Sequence, residues 1–545
     1  MERTEVGDSC KTSGSQKQFY LVFDDMKGII RFWIVFLLLA GFNDFSFGIE
    51  KDSVRKNPSF EIYTPDPKPS PRINGPLVYG CRPGNPFLYR IPCQGIRPIR
   101  FSVKGLPSGL SLNASSGILS GTAPVKGEYD LLIQAVNSKG KDKRRLKIKS
   151  GDQLALTPPM GWNSWYVHFN RVKDSDMRSA ADAMISSGMA DVGYQYVNID
   201  DCWMNATATH KYMTDESRVG PLRDEQGNIQ PNVHFPDMKS MTGYIHEKGL
   251  KTGLYTSPGP NTCCGLTGSW QHEQQDAVQF AQWGFDFLKY DWCSYTRIAG
   301  KEPSLEEMQK PYLLMGEALK SQPRDIVYNL CQYGMGKVWE WGPKVGGHCW
   351  RTAGDLGFEL DRFFAVALKN AEYGKWSKPG SWNDPDYLQI GWIGAQKGTT
   401  FTMAEPCHLS ANEQYSYMSL WCMMASPLIF SGDMTKLDEF TLNVLCNPEI
   451  IEVDQDLLGK CAQVIRKDAT TFIMVKPLYD GNLAVALFNQ GSEPATVTAD
   501  WIDIKVSGKQ RVRDLWHQKD MGIYEQKFST LIPSHGVVML KMSNR

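Results

Sequence analysis

At 545 residues the chain is too long for one domain by the usual prior of roughly 100–200 residues each, and its 42% apolar and 22% charged residues are ordinary for globular proteins. The 59 basic and 59 acidic residues cancel, and no basic stripe points to nucleic acid and no polybasic run to anionic lipid. Aromatic residues reach 11%, which suits a protein that stacks rings on sugars, although large aromatic cores account for most of it.

Residues 1–25 are a polar leader whose Asp24 and Asp25 do not belong in front of an export signal, so translation is expected to start at Met26. Lys27 and Arg31 then form a basic n-region, Phe32 to Phe42 is an apolar run too short to span a bilayer, and Ser46-Phe47-Gly48 is a small-residue cleavage site. The reading is a signal peptide over 26–48, a secreted or periplasmic protein, and no membrane attachment after cleavage. Thirteen Cys suit an exported chain, and the absence of any C-x-x-C pair argues against a zinc ribbon or a redox motif.

Residues 49–72, rich in Pro, Lys, Asp and Ser, read as a linker. From 73 to 150 short alternating segments predict strands punctuated by Gly117 and Gly121. The stretch from Leu106 to Pro124 resembles Ig-like domains found beside bacterial enzymes, which implies a β-sandwich that serves as a spacer or, as the alternative, contacts glycan. Cys81 and Cys93 are expected to staple its start.

From 151 to 457 strand-like and helix-like segments alternate, which predicts a parallel sheet. Eight strands begin at Met160, Tyr196, Lys251, Phe285, Ile326, His348, Gly380 and Pro427, with helices such as Ser175–Ser187 and Gln271–Trp283 between them. Eight repeats of this size predict a (β/α)8 TIM barrel with its site at the C-terminal ends of the strands. Residues 458–545 return to short strands and predict a C-terminal antiparallel β-sandwich. The fold class is therefore multidomain: a central barrel flanked by two β domains.

Polar residues gather where the barrel strands end. Period two on a strand puts Lys289 and Asp291 on one face, and a cation there favours an ionised carboxylate. Such a carboxylate suits a nucleophile, and a structural ion pair accounts for the spacing equally well. Asp355 follows strand six and could supply the second carboxyl of a glycosidase, at the ~5–5.5 Å that a retaining pair requires; alone it reads equally as a helix N-cap. Asp200 and Asp201 are adjacent carboxylates that need donors, either sugar hydroxyls or a hard cation such as calcium or magnesium. Trp162 and Trp165 end strand one, as a wall against a sugar or as core.

Five motifs occur in order: P-P-M-G-W-N-S-W from Pro158, Y-V-N-I-D-D-C-W from Tyr196, F-L-K-Y-D-W-C from Phe287, W-R-T-A-G-D from Trp350 and W-N-D-P-D from Trp382. Over roughly residues 154–545 the chain resembles glycoside hydrolase family 27, the α-galactosidase and α-N-acetylgalactosaminidase family. The resemblance implies Asp291 as nucleophile and Asp355 as general acid/base. It implies Asp200 and Asp201 on the sugar's O6 and O4, Lys289 on O3 and O4, and Arg351 on O2. Trp165, Tyr255 and Asp386 become pocket residues. A disulfide between Cys263 and Cys293 is implied beside the nucleophile, with Cys264 as the alternative partner. Gln332 stands where many members have Glu; its amide can still read O2 and should crowd an N-acetyl group. The usual partner of Cys202 near strand one is missing, which leaves Cys202 as a free buried thiol.

The expected activity is a retaining exo-hydrolase that releases terminal α-galactose from oligosaccharides or polysaccharide side chains, with no cofactor and no metal. Rivals with the same mechanism are α-N-acetylgalactosaminidase, β-L-arabinopyranosidase and isomaltodextranase. The rival of another class is a non-catalytic galactoside-binding barrel, against which both retained carboxylates argue.

Overall fold

The structure is a computed structural model that describes residues 60–208, 210, 215–357, 362–397 and 400–544. The leader and the signal segment lie outside the described residues.

The N-terminal domain is a sandwich. One sheet runs Val78–Cys81, Gly140–Ser150, Gly127–Asn137, Arg100–Lys104, and the other Pro86–Arg90, Ile118–Thr122, Leu110–Asn113. Within Gly127–Asn137, Leu131, Ile133 and Ala135 alternate inward and meet Phe87, Phe101 and Leu119. Gly121 has φ 136° and a Cβ there would lie 2.1 Å from the Gly109 carbonyl oxygen, so only glycine fits. The expected Cys81–Cys93 staple is not made: both thiols are buried and free, because Cys81 ends a strand of the larger sheet while Cys93 pairs with Ile73 in a separate two-stranded ladder.

This domain docks on the barrel. Arg82 donates to Asp325 at 2.9 Å and to the Gln322 carbonyl at 3.1 Å, so it caps the chain leaving helix Leu305–Lys320. The contact lies just before a barrel strand begins, at the end remote from the strand C-termini. Residues from Phe60 onward, within the stretch read as linker, also pack closely. Phe60 meets Phe440 at 4.6 Å between ring centroids, Tyr63 stacks on Tyr415 at 4.3 Å, and the Thr64 amide donates to Asn443.

The barrel has eight parallel strands: β1 (Met160–Asn163), β2 (Tyr196–Asn198), β3 (Lys251–Thr256), β4 (Phe287–Asp291), β5 (Val327–Cys331), β6 (Cys349–Arg351), β7 (Trp382–Asp384) and β8 (Leu428–Phe430). They pair in sequence from β1 to β7, and β8 returns to β1. A parallel bridge from Leu388 to Phe430 closes the ring beyond β7. Almost every strand residue is buried, as expected where helices cover the outer face. Trp165, expected at the end of β1, instead opens the short helix Trp165–His168.

The C-terminal domain has a six-stranded sheet from Gln463–Lys467 to Lys519–Glu525 and a two-stranded sheet of Ala495–Asp500 with Lys527–Ile532. Strand Thr471–Pro477 is buried on both faces. Ile473 and Val475 fill the sandwich, while Phe472 and Met474 join the barrel core. That shared core fixes the domain to the barrel, at about 25 cal/mol per Å² of apolar surface removed from water.

Candidate active site

The strand C-termini converge on one pocket. At four of them the backbone leaves the strand through a non-glycine residue in the left-handed region: Cys202 (φ 78°) after β2, Cys293 (φ 33°) after β4, Tyr333 (φ 65°) after β5 and Asp386 (φ 122°) after β7. Such conformations cost about 1–3 kcal/mol each, and they redirect side chains that strand alternation would place elsewhere.

Asp291 ends β4 and is buried. Its Oδ1 accepts from the Tyr333 hydroxyl at 2.5 Å and from the Trp292 amide at 3.1 Å, and its Oδ2 lies 4.0 Å from Lys289 Nζ. Lys289 Nζ donates to Asp200 Oδ2 at 2.9 Å and lies 5.1 Å from the ring centroids of both Tyr255 and Tyr387. Tyr387 also donates to Asp200 Oδ2, at 3.2 Å. Asp200 Oδ1 takes the Asp201 amide at 2.9 Å, and the Asp200 amide donates to Ser164. Asp201 accepts the Cys202 amide at 2.7 Å and the Cys264 amide at 2.9 Å. The adjacent carboxylates are therefore compensated by Lys289, a phenol and three amides. No shared oxygen cage forms around them among the described residues, so the donor set does not suit calcium or magnesium.

Arg351 ends β6 and is buried. One arm reaches Asp355 Oδ1 at 3.0 Å and the other Asp386 Oδ2 at 3.0 Å. Asp386 is saturated: the Leu356 amide donates to the same Oδ2 and the Tyr387 amide to Oδ1. Its carboxylate thus holds Arg351 and the chain after Asp355. Asp355 itself stands at the rim, with its side chain 59% exposed.

Gln332 follows β5 and is 1% exposed, yet neither atom of its amide has a protein partner among the described residues. A buried amide left unpaired costs about 1–3 kcal/mol. Trp165 is half-buried and meets Phe169 and Phe401 edge to face. Cys263 and Cys293 form a disulfide, and Tyr255 OH lies 3.1 Å from Cys293 Sγ. Cys202 is free and buried.

Burial pushes Asp291 up to about 6; Lys289 and the Tyr333 hydrogen bond oppose the rise and Asp355 adds to it. Burial likewise lifts Asp201 and Asp386 to about 6. Partial burial also pushes Asp355 up, but Arg351 and then Lys289 outweigh it and hold its carboxyl below the usual carboxylate range. These surroundings favour a proton on Asp291 over one on Asp355.

Sequence reasoning missed Tyr333 and Tyr387. Each follows a residue it did select, Gln332 or Asp386, and strand alternation places neighbours on opposite faces. The positive φ angles at Tyr333 and Asp386 break that alternation.

Residues 157–456 match the family model described as "Alpha galactosidase A", residues 468–542 the "Alpha galactosidase C-terminal beta sandwich domain", and residues 71–150 an Ig domain model. The chain is 35% identical over 408 residues to Alpha-galactosidase 2 of Arabidopsis thaliana, covering 74% of this chain and 92% of that protein. It is 34% identical to Alpha-galactosidase A of Cellvibrio japonicus, covering 72% and 94%. A Bacteroides fragilis crystal structure superposes with TM-score 0.78 at 35% identity, covering 88% of this chain and 98% of that one. The motifs, the barrel that displays them and these matches agree, and the chain belongs to the α-galactosidase family, glycoside hydrolase family 27.

Proposed function

We propose that this pocket releases terminal α-linked galactose with net retention, with Asp291 as nucleophile and Asp355 as acid/base. The observation that carries the reading is the pair itself. Asp291 lies buried beside Lys289, and Asp355 stands at the rim on Arg351, close enough for its charge to raise the Asp291 pKa.

Asp291 attacks the anomeric carbon while Asp355 gives its proton to the leaving oxygen, which forms a covalent galactosyl ester. Water then attacks that ester, with Asp355 taking the water's proton. The low Asp355 pKa that Arg351 and Lys289 impose suits this second step. For the first step the order must reverse. A sugar hydroxyl that takes Arg351 Nη1 from Asp355 removes the strongest cation from that carboxyl and raises its pKa. Lys289 stays with Asp291 and Asp200 and favours the ionised nucleophile. Asp200 and Asp201 read O4 and O6, and Gln332 reads O2. Trp165 and Tyr255 form apolar walls, and Asp386 acts through Arg351.

The paired Asp200 and Asp201 favour a hexose with a C6 hydroxyl over β-L-arabinopyranose. The substrates are α-galactosyl oligosaccharides or polysaccharide side chains, met outside the cytoplasm after export through 26–48; the Cys263–Cys293 bond supports that location. The test is a panel of aryl α-galactosides, β-L-arabinopyranosides and α-N-acetylgalactosaminides, with the first-formed anomer read by NMR. The expected result is preferred turnover of the α-galactoside with α-galactose appearing first. Binding without turnover, or β-galactose first, overturns the reading.

A further inference from the structure

Beside Asp201 lie two thiols that no step above uses. Cys202 follows β2 and Cys264 follows β3; they are 3% and 4% exposed. Their sulfurs and an Asp201 carboxylate oxygen all lie within 4.8 Å of one another, and the thiols share a hydrogen bond. The backbone around both is pinned. The Cys264 amide donates to Asp201 Oδ2 at 2.9 Å, Arg218 and Asn232 donate to the Cys202 carbonyl at 2.9 and 3.0 Å, and the His210 ring meets the Cys264 carbonyl. Strands β2 and β3 pair directly, so the two loops leave the barrel side by side. Cys263, next in the chain, is already bonded to Cys293 after β4.

We infer that Cys202 and Cys264 form a second disulfide, so that the adjacent residues Cys263 and Cys264 staple the loops after β2, β3 and β4 into one cross-linked rim. The bond gives Cys202, which lacks its expected partner near β1, a partner on the other side. The step balances as two thiols losing two protons and two electrons to a disulfide-bearing oxidant, which leaves as two thiols. That oxidant class also makes Cys263–Cys293. The hydrogen bond with Cys202, and then burial, hold the Cys264 thiol well above its ordinary pKa in the folded chain, so exchange there is slow. A metal is the rival ligand. Both Asp201 oxygens already accept amide protons, so its carboxylate is committed and two thiols remain as donors. The new bond closes a longer loop than the 30 residues between Cys263 and Cys293, and longer loops restrict the unfolded chain more. Asp201 gains most, since it precedes one bonded cysteine and accepts from the amide of the other.

The test is a peptide map of full-length protein made by an oxidising export route, denatured in N-ethylmaleimide without reductant. The expected product is one species joining three peptides: that of Cys202, that of Cys263 and Cys264, and that of Cys293. Reductant should release all three, and the same treatment should lower the wild-type Tm by more than that of the Cys202→Ala/Cys264→Ala variant. Maleimide on Cys202 and Cys264 in the unreduced wild type overturns the inference. So does a map in which the two thiols alkylate only after EDTA, which would mark a metal site. The wild-type map decides the matter even if the double variant fails to fold.

Discussion

Tyr333 places its hydroxyl 2.5 Å from Asp291 Oδ1, on the carboxylate oxygen turned away from Lys289. The two oxygens of the proposed nucleophile are thus held by different partners, a phenol on one and an ammonium on the other. Tyr333 reaches there because its φ of 65° turns the chain sharply after β5.

Loss of that phenol is expected to slow turnover and shift its pH dependence. A hydrogen bond to a charged group is worth about 1.5–3 kcal/mol, so Tyr333→Phe should lower kcat/KM roughly ten- to hundred-fold. The bond favours ionised Asp291, so its loss raises the Asp291 pKa above about 6. The acid limb of the kcat/KM profile should then move to higher pH. An unmoved limb would show that Tyr333 fills space and does not tune the carboxylate.

Asp291→Ala should abolish turnover, because it removes the carboxylate on which the proposed galactosyl ester forms. Azide should restore part of the rate and yield the β-galactosyl azide, since Asp355 still protonates the leaving group. Lys289 keeps Asp200 as its partner, so circular dichroism should show an intact fold. Near-normal turnover of the variant would exclude Asp291 as nucleophile.

Gln332 sets the fit at C2. Gln332→Ser, with neighbouring bulk trimmed, removes the amide that has no protein partner and opens space. Activity should rise on α-N-acetylgalactosaminides and fall on α-galactosides, measured as the ratio of kcat/KM values. A wild-type protein that already prefers the N-acetylated sugar contradicts this role.

Asp200→Asn and Asp201→Asn should each cost roughly ten- to hundred-fold or more in kcat/KM on α-galactosides, the range for one charged hydrogen bond. The variant that touches O6 should lose less on the arabinopyranoside, which lacks that hydroxyl. EDTA should leave wild-type activity unchanged. Inactivation by EDTA, reversed by calcium or magnesium, would make the pair a metal site.

The stability contributed by the buried carboxyls should fall as pH rises from about 4 to about 8, opposed below about pH 6.5 by His168 and His348, whose pKa burial lowers. Burial raises the carboxyls of Asp201, Asp291 and Asp386 to about 6 and that of Asp454 to about 8 in the folded protein. The folded state therefore holds protons that the unfolded chain, with Asp near 3.9, has released. Their contribution is complete below the unfolded pKa and is lost as pH passes through each folded value. Tm measured across this range should be higher at pH 5 than at pH 8. Asp454→Asn should flatten the upper part of the slope, and an unchanged slope would show that Asp454 stays ionised.

The alternation of strand-like and helix-like segments, the order of five motifs and the residue types at strand ends are local properties. They were enough to predict the barrel and its two β flanks, while most of the pocket residues were named through the resemblance of the motifs to a known family. Period-two reasoning on β4 correctly put Lys289 and Asp291 on one face, because a regular strand has that geometry. Where regular geometry stops, the sequence stops informing. The positive φ angles that bring in Tyr333 and Tyr387 are imposed by loop packing. The split of Arg351 between Asp355 and Asp386 depends on β6 and β7 lying side by side. The same holds for the thiols: Cys81 and Cys93, twelve residues apart, point into different ladders, whereas Cys202 and Cys264 meet because parallel strands carry their loops together. Which residue faces which is set by the closure of the ring, and that enclosure decides which way a pKa moves from the value its residue type sets, up at Asp291 and down at Asp355.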